Sequence, residues 1–348
     1  MMRRKHWVIA VAIPLLLAAG DVVYWRIAAE RLRTGFQAWM TAQTARGWDC
    51  GSSAVSIGGW PRAATVTVPD LKLRHTGSTV PGEMDVAATG IVLSVSLLNP
   101  TMLRLSLTGP LHVRLGTAPD MVVTGQEASV SVPLRQTGPL YLNLHANGLR
   151  LEPAAGAWQA TLGLLDAEVE IAVNAATDQS EPAATFAVTS EAIALPAGIK
   201  WPLGANISAL SVEGALNGPL PETREIKAWA EAWRDGGGSL EIRHFAIGWG
   251  ALGLTSTATL ALDEQLQPMG SGSGRIVGYA QTLDRLAAAG KLTKSAATAA
   301  KAVLSLMAGT TDGDEPSSVE VPLTLQYRTL SMRQVPLVRL PELDWPAR

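Results

Sequence analysis

The residues of this chain that could do chemistry do not match a catalytic pattern. Gly270-Ser271-Gly272-Ser273-Gly274 has Gly at its centre, where the nucleophile elbow Gly-x-Ser-x-Gly of hydrolases needs Ser. The same segment lacks the last glycine of the dinucleotide-binding pattern Gly-x-Gly-x-x-Gly. Gly290-Lys291 is followed by Leu292, where a phosphate-binding loop needs Ser or Thr. These segments therefore predict neither a hydrolase nor a nucleotide-binding enzyme.

The metal-ligating residue types are equally sparse. The five histidines are scattered without ligand spacing, and Cys50 is the only cysteine. A single cysteine excludes an internal disulfide and a cysteine-based zinc site. The formal net charge of −2 gives no electrostatic basis for binding nucleic acid. We therefore predict a protein that is not an enzyme, has no metal or cofactor and does not bind nucleic acid.

The first 25 residues predict a membrane anchor. Residues 1–6 are basic, and residues 7–25 form an apolar run whose one charged residue is Asp21. Nineteen helical residues span roughly 28 Å, close to the hydrocarbon thickness of a bilayer. Positive charge before the span keeps that end in the cytoplasm. The predicted location is the inner (cytoplasmic) membrane, single-pass, with the bulk of the chain in the periplasm; the predicted anchor residues are Trp7, Leu15, Leu16, Leu17, Tyr24 and Trp25.

A cleaved signal peptide is the rival interpretation of the same run. Ala18-Ala19-Gly20 has the small residues of a cleavage site. Hydrophobicity continues through Val22-Val23, however, and Tyr24-Trp25 is an aromatic pair of the kind enriched at membrane interfaces. These features favour a retained anchor, and both interpretations export the rest of the chain.

Residues 26–47 predict an amphipathic helix that continues the anchor. Its apolar residues recur at three- and four-residue spacing and include Phe36, Trp39 and Met40, and Gly47 ends it. The stripe either packs on the domain that follows or lies on the outer leaflet of the membrane. We expect packing, because these large side chains suit the end of a sheet.

Residues 48–348 predict a mainly β domain with helices, in the α+β class. Short segments such as residues 65–68, 93–97 and 103–107 alternate apolar and polar residues, which is typical of strands with one buried face. Their links are short and carry Gly and Pro, which favours antiparallel meanders. We expect well over a dozen strands in a long, curved, half-open and groove-like antiparallel sheet, with packed helices near residues 222–234, 281–289 and 293–308.

The apolar strand faces suggest either a groove or a packed core. In a sheet too long to close on itself, the inner faces line a trough. An aliphatic trough would suit acyl chains, because burying each methylene contributes about 0.8 kcal/mol. The sequence leaves open whether the same faces form an ordinary core under the helices. The predicted groove-lining residues are Val66, Val68, Leu93, Val95, Leu97, Leu103, Leu105 and Leu107.

Four motifs, taken in order, resemble a known family. They are Gly58-Gly59-Trp60-Pro61, the segment Ala228 to Ile242 with its Trp-Ala-Glu-Ala-Trp-Arg-Asp-Gly-Gly-Gly core, the segment from Trp249-Gly250-Ala251-Leu252 through Leu260-Ala261-Leu262-Asp263 to Pro268-Met269-Gly270, and the end from Leu337 to Leu343. Together they resemble the uncharacterised proteobacterial envelope family called domain of unknown function 2125, which is similar in layout to AsmA-like proteins. The resemblance implies one N-terminal membrane helix and a long periplasmic antiparallel sheet, and it implies no catalytic residue.

Two functions are consistent with this layout. The first is binding or transfer of phospholipid or another acyl lipid, or envelope maintenance, through the aliphatic groove. The alternative is a non-enzymatic scaffold in which exposed edge strands pair with an envelope protein partner.

Overall fold

The computed structural model describes residues 2–76, 83–134, 138–172, 181–223, 225–308, 318–332, 335–343 and 345. Within these ranges the chain is mainly antiparallel sheet with four helices, an α+β fold. The helices are α1 (Met2–Ala45), α2 (Ile226–Asp235), α3 (Tyr279–Ala288) and α4 (Lys294–Met307). The last three lie near residues 222–234, 281–289 and 293–308, where the sequence predicts helices.

The strands come in two groups. The first nine are β1 (Trp48–Gly51), β2 (Ser56–Gly58), β3 (Ala63–His75), β4 (Met84–Ser96), β5 (Met102–Leu107), β6 (Leu111–Leu115), β7 (Met121–Thr124), β8 (Glu127–Pro133) and β9 (Leu140–Pro153). The others are β10 (Ala160–Ile171), β11 (Ala184–Ala194), β12 (Asn206–Asn217), β13 (Ser239–Trp249), β14 (Leu252–Leu262), β15 (Pro268–Val277), β16 (Ser318–Gln326), β17 (Thr329–Met332) and β18 (Val335–Arg339).

Strand pairing differs between the two halves of the sheet. From β9 to β18 each strand pairs with its neighbours in the chain, as a simple meander. Before β9, long strands pair with two short ones placed end to end: β3 with β1 and β2, β4 with β5 and β6, and β9 with β7 and β8. A strand of 13 residues extends about 43 Å, which is long enough for two short partners.

Helix α1 runs without a break through the two segments that the sequence treats as an anchor and an amphipathic helix. It packs on β1, β2 and β3. Phe36 lies in a core cluster with Val66, Val68 and Leu93, and Leu32 and Met40 pack at its margin. The apolar stripe of α1 therefore packs on the sheet, as the sequence predicts. Among the side chains that the structure describes, which in this helix begin at Ala19, there is no helix with the length and apolarity to cross a membrane.

A second core cluster lies at the other end of the sheet. Tyr279 of α3 and Leu304 of α4 pack with Val319 and Val321 of β16. Helix α4 is capped at its N-terminus by the Thr293 hydroxyl, which accepts a hydrogen bond from the Ala296 N–H at 3.2 Å. The two core clusters therefore form where helices cover the two ends of one sheet.

Helix α2 closes the β12–β13 connection. The Trp233 indole donates to the Asn217 carbonyl oxygen at 3.1 Å and stacks on Trp229, with ring centroids 6.0 Å apart. A Cβ added at Gly238 would lie 2.3 Å from the Trp233 ring. The Gly-rich segment after this helix is thus needed for the close approach of its backbone to an indole.

Candidate functional site

The register of the sheet joins residues from twelve strands into one row, apolar at every position except Ser256 and Gly274, which we call the inner row. Directly opposed residues of antiparallel strands lie on the same face. Eleven steps of about 4.8 Å between strands make the row roughly 50 Å long, measured along the sheet. Its members, in order of pairing, are Val66, Leu93, Leu105, Val130, Leu144, Ala167, Val188, Val212, Phe245, Ser256, Gly274 and Val321.

The inner row is buried at its ends and partly accessible in its middle. Val66 is 0% exposed and Val321 is 2% exposed, because α1 and α4 cover them. Leu144, Val188 and Phe245 are only half-buried. The helices pack chiefly on β1–β3, β14 and β16. The face between these covers is an aliphatic surface that an apolar ligand could bury further.

The opposite face of the same strands carries a mostly polar row. It includes His145 and Asp166, whose Nδ1 and Oδ1 atoms are 2.6 Å apart, and Arg275 beside Glu320. Across the twelve strands of the two rows, the sheet therefore separates a mostly polar face from a mostly apolar face. The row is formed by Thr67, Val92, Ser106, Ser129, His145, Asp166, Thr189, Ser211, Ala246, Thr255, Arg275 and Glu320.

The accessible surface of the chain is consistent with a sheet that has two accessible faces. It amounts to 21552 Å². A compact protein of 36.6 kDa exposes roughly 13,500 Å². A domain folded around one thick core would be closer to the compact value, so the total is in line with an extended, thin fold.

In three long strands, β3, β9 and β11, the alternation shifts at one residue with positive φ. Val68 and Leu71 lie in the same core cluster although they are three residues apart, and Asp70 between them has φ 50°. Gly148 in β9 (φ 60°) and Ala192 in β11 (φ 53°) take the same conformation. A left-handed residue turns the following side chain back to the face it would otherwise leave. These shifts keep apolar residues on the inner face over the full length of the strands.

The eight predicted groove-lining residues take three kinds of position. Val66, Val68 and Leu93 lie in the core cluster under Phe36, and Val95 is 7% exposed at the end of β4. Leu103, Leu105 and Leu107 on β5 are partly buried at the margin of that cluster. Leu97 follows β4, and its N–H donates to the Arg62 carbonyl oxygen at 3.2 Å. A lining role for these residues stays a prediction.

Sequence reasoning did not select the residues in the uncovered middle of the row. Val130, Leu144, Val188, Val212 and Phe245 each lie in a strand. Their alternation is visible in the sequence, but it does not reveal which residues of twelve strands oppose one another. The missing information is the pairing register between strands, together with the changes of face at the positive-φ residues.

Two of the six predicted anchor residues have described side chains, and they lie near the middle of α1, where it meets the sheet. The Trp25 indole donates to the Gly58 carbonyl oxygen at 3.1 Å, and Tyr24 is 45% exposed. The side chains of Trp7, Leu15, Leu16 and Leu17 lie outside the described residues. A membrane role for all six residues stays a prediction.

The titratable side chains of the described residues do not gather into a metal-binding group of three His, Cys, Asp or Glu. One pKa is perturbed: a hydrogen bond to Glu170, then partial desolvation and the charge of Glu170, raise the pKa of Tyr141 above its usual value. Tyr141 and Glu170 oppose each other on β9 and β10. Both lie on the face of the polar row, and the inner row has no titratable member.

Comparison with known proteins identifies the family. A family model described as an uncharacterized protein conserved in bacteria, DUF2125, matches residues 25–341. The chain belongs to the DUF2125 family. The similarity of this DUF2125 protein to AsmA-like envelope proteins does not follow from that match and stays a prediction. The search of curated proteins found no match, and neither did the search of solved structures.

Proposed function

We propose that this DUF2125 protein is held at the inner membrane by the N-terminal part of α1, with its sheet in the periplasm, and binds acyl lipids along the inner row. The observation that carries the lipid proposal is the continuity of the row: it is aliphatic across the uncovered strands β8–β12 and polar on its reverse. An acyl chain laid on this face gains about 0.8 kcal/mol for each methylene it buries.

Membrane attachment is supported by the direction in which α1 leaves the sheet. Its residues Asp21 and Trp25 contact the β2–β3 turn (residues 59–62) and Gly58. The helix residues before Asp21 therefore leave the sheet at the end where this turn lies. Trp60 in this turn, Leu98 in the β4–β5 loop and Leu134 after β8 lie at the same end and are 50%, 97% and 46% exposed. Exposed apolar and aromatic loop residues beside an apolar helix suit a membrane surface.

The scaffold alternative receives less support from the edges of the sheet. Strands β1 and β2 have four and three residues and lie under α1. Strand β18 has five residues and includes Pro336. Short, covered or proline-bearing edges are poor templates for strand pairing with a partner.

A matched pair of variants on β11 tests the lipid proposal. Val188 belongs to the inner row and its neighbour Thr189 to the polar row. The full chain is extracted in detergent from a bacterial host, and its bound lipid is measured by native mass spectrometry and lipid extraction. We expect wild type and Thr189→Asp to carry acyl lipid and Val188→Asp to lose most of it, because a carboxylate on an apolar face opposes acyl contact.

A second variant covers the case in which Val188→Asp does not fold. Val188→Trp adds apolar bulk to the same position and is expected to displace lipid without introducing a charge. Circular dichroism establishes that each variant is folded. Equal lipid in wild type and in folded Val188→Asp or Val188→Trp would overturn the proposal, and a stoichiometric protein partner with no lipid would favour the scaffold.

A further inference from the structure

A basic pocket opens where the β11–β12 loop meets the C-terminal end of α3. It has a volume of about 540 Å³ and is lined by Lys200, Trp201, Pro202, Arg285, Ala288, Ala289 and Lys291. Three of these seven residues are cationic, and the lining contains no carboxylate. This composition differs sharply from that of the inner row, which has no charged member.

The three cations of the pocket are available to a ligand. Some cations of the chain pair with carboxylates, as in Arg234 with Asp235 and Arg328 with Glu342. Among the described residues, Lys200, Arg285 and Lys291 form no such ion pair. Asp284, the chain neighbour of Arg285, pairs with Lys301 of α4. The field of the pocket is thus positive and is not cancelled by a carboxylate of its own lining.

Hydrogen bonds hold the wall of the pocket. The Trp201 indole donates to the Pro196 carbonyl oxygen at 3.0 Å, and the Trp249 indole donates to the Gly204 carbonyl oxygen at 2.7 Å. Arg285 Nη1 reaches the Leu203 carbonyl oxygen at 3.5 Å. Both ends of the loop are therefore tied down, which reduces the entropy lost when a ligand binds.

The pocket adjoins the inner face of the sheet. The Trp201 and Trp249 rings meet edge to face, with centroids 6.3 Å apart. Regular register places Trp249 on the same face as Ile247, which opposes Leu254, and Leu254 opposes Ile276. Ile276 packs against the second core cluster, under α3 and α4. A ligand with its anionic group in the pocket would therefore reach the apolar face directly.

Cations near a helix C-terminus also have a structural role. Arg285 and Lys291 lie at the end of α3, where the helix dipole favours positive charge. That effect does not account for Lys200, which comes from a loop 85 residues before Arg285 in the chain. The convergence of two elements on one cavity is what an anion-binding site needs.

We infer that this pocket binds the phosphate of an anionic acyl lipid while the acyl chains lie along the inner face. The inference rests on the proposed lipid-binding function and adds the class of lipid. The shared chemistry is a phosphate group, which a phospholipid headgroup or free inorganic phosphate could supply. Adjacency to the apolar face favours the headgroup.

The test uses the full chain with two pure lipids and one salt. Detergent-extracted protein is stripped of lipid, incubated with phosphatidylglycerol, with zwitterionic phosphatidylcholine or with inorganic phosphate alone, and analysed by native mass spectrometry. The pocket variant is Lys200→Glu with Lys291→Glu. The matched control is Lys294→Glu, an exposed lysine three residues beyond Lys291 in the first turn of α4.

We expect wild type and Lys294→Glu to prefer phosphatidylglycerol to phosphatidylcholine by about tenfold, as two or three charge contacts would give. The pocket variant should lose this preference and keep its capacity for phosphatidylcholine. An unchanged preference in the pocket variant overturns the inference and leaves the proposed function intact. Binding of inorganic phosphate without either lipid overturns both the headgroup assignment and the proposed function. If Val188→Asp loses all lipid while the pocket variant keeps phosphatidylcholine, the acyl chains bind at the inner row and the pocket contributes only the preference for the headgroup.

Discussion

The indole Nε1 of Trp60 donates a hydrogen bond to Oδ2 of Asp21 at 3.0 Å, so the turn before β3 is tied to α1. Sequence analysis singles out both residues, Asp21 as the one charge in the apolar run and Trp60 in a Gly-Gly-Trp-Pro motif, without indicating that they meet. A second hydrogen bond, from the Trp25 indole to the Gly58 carbonyl oxygen, joins α1 to the residue before the same turn. Together they fix where α1 leaves the sheet.

A double-mutant cycle measures what the Asp21–Trp60 hydrogen bond contributes to stability. We expect Asp21→Ala and Trp60→Phe to be non-additive in thermal unfolding of the full chain, with a coupling of about 1 kcal/mol or less because the pair is exposed. Val23→Ala, at a position 58% exposed on the same helix, should be additive with Trp60→Phe. Strict additivity for Asp21→Ala would show that the bond does not contribute to stability.

Docking of α1 depends on Phe36. The Phe36→Ala variant should lower the free energy of unfolding by about 3 kcal/mol, because it leaves a cavity against Val66, Val68 and Leu93. Trp39→Ala is the control, since Trp39 stacks on Phe36 but is 42% exposed. Denaturant titration should show the larger shift for Phe36→Ala. The reverse order would contradict the packing of α1 on the sheet.

The glycines of β15 allow a close backbone approach. A Cβ at Gly272 would lie 2.2 Å from the Thr257 carbonyl oxygen, whereas a Cβ at Gly253 meets its nearest heavy atom, the Val277 Cβ, at 3.6 Å. Gly272→Ala should therefore displace the β14–β15 ladder and lower the thermal midpoint by several degrees, on the order of 1–3 kcal/mol. Gly253→Ala should be tolerated. A Gly272→Ala variant of unchanged stability would mean that the two strands can separate freely at this point.

The direction of α1 predicts which loops approach the membrane. Cys50 is the only cysteine, so a Cys50→Ser background accepts single labels at Leu98→Cys or at Ile199→Cys. Leu98 lies at the end where α1 leaves the sheet, and Ile199 lies in the β11–β12 loop at the opposite strand ends. In vesicles that contain the full chain, a polarity-sensitive dye should report a lipid-like environment at position 98 and water at position 199.

Both labelled positions are exposed, Leu98 by 97% and Ile199 by 52%, so burial in the protein cannot account for a difference. Identical aqueous signals would exclude contact of this end with the bilayer. A lipid signal at position 199 alone would reverse the proposed orientation.

Local pattern predicts the elements of this fold well and their assembly poorly. The alternating segments 65–68, 93–97 and 103–107 lie in or next to β3, β4 and β5, because side-chain periodicity is a local property. The sequence does not predict the pairing of β4 with both β5 and β6. This pairing arises because β4 is long and its two partners are short, and the short links between the strands do not indicate it.

In the candidate sites, too, the residue types can be predicted from the sequence but their arrangement cannot. The apolar type of Val188 is visible in the sequence, but its place in the inner row depends on the pairing register of many strands, which shifts in the β12–β13 and β13–β14 pairs. The basic pocket joins Lys200 to Arg285 and Lys291, and neither spacing nor composition links a loop to a helix end so far along the chain. A site formed by residues that are far apart in the chain can be located only when the fold is known.

The simple meander from β9 to β16 has a consequence for how the family can vary. Each strand from β10 to β16 pairs only with its chain neighbours, so duplication or loss of one hairpin there rewires no other pairing. Each hairpin added or removed would change the apolar path by about 10 Å, two strand spacings. A gain or loss of one strand would instead reverse the chain direction and separate the remaining strands from their cover by α3 and α4. Members of different length should therefore differ by whole hairpins.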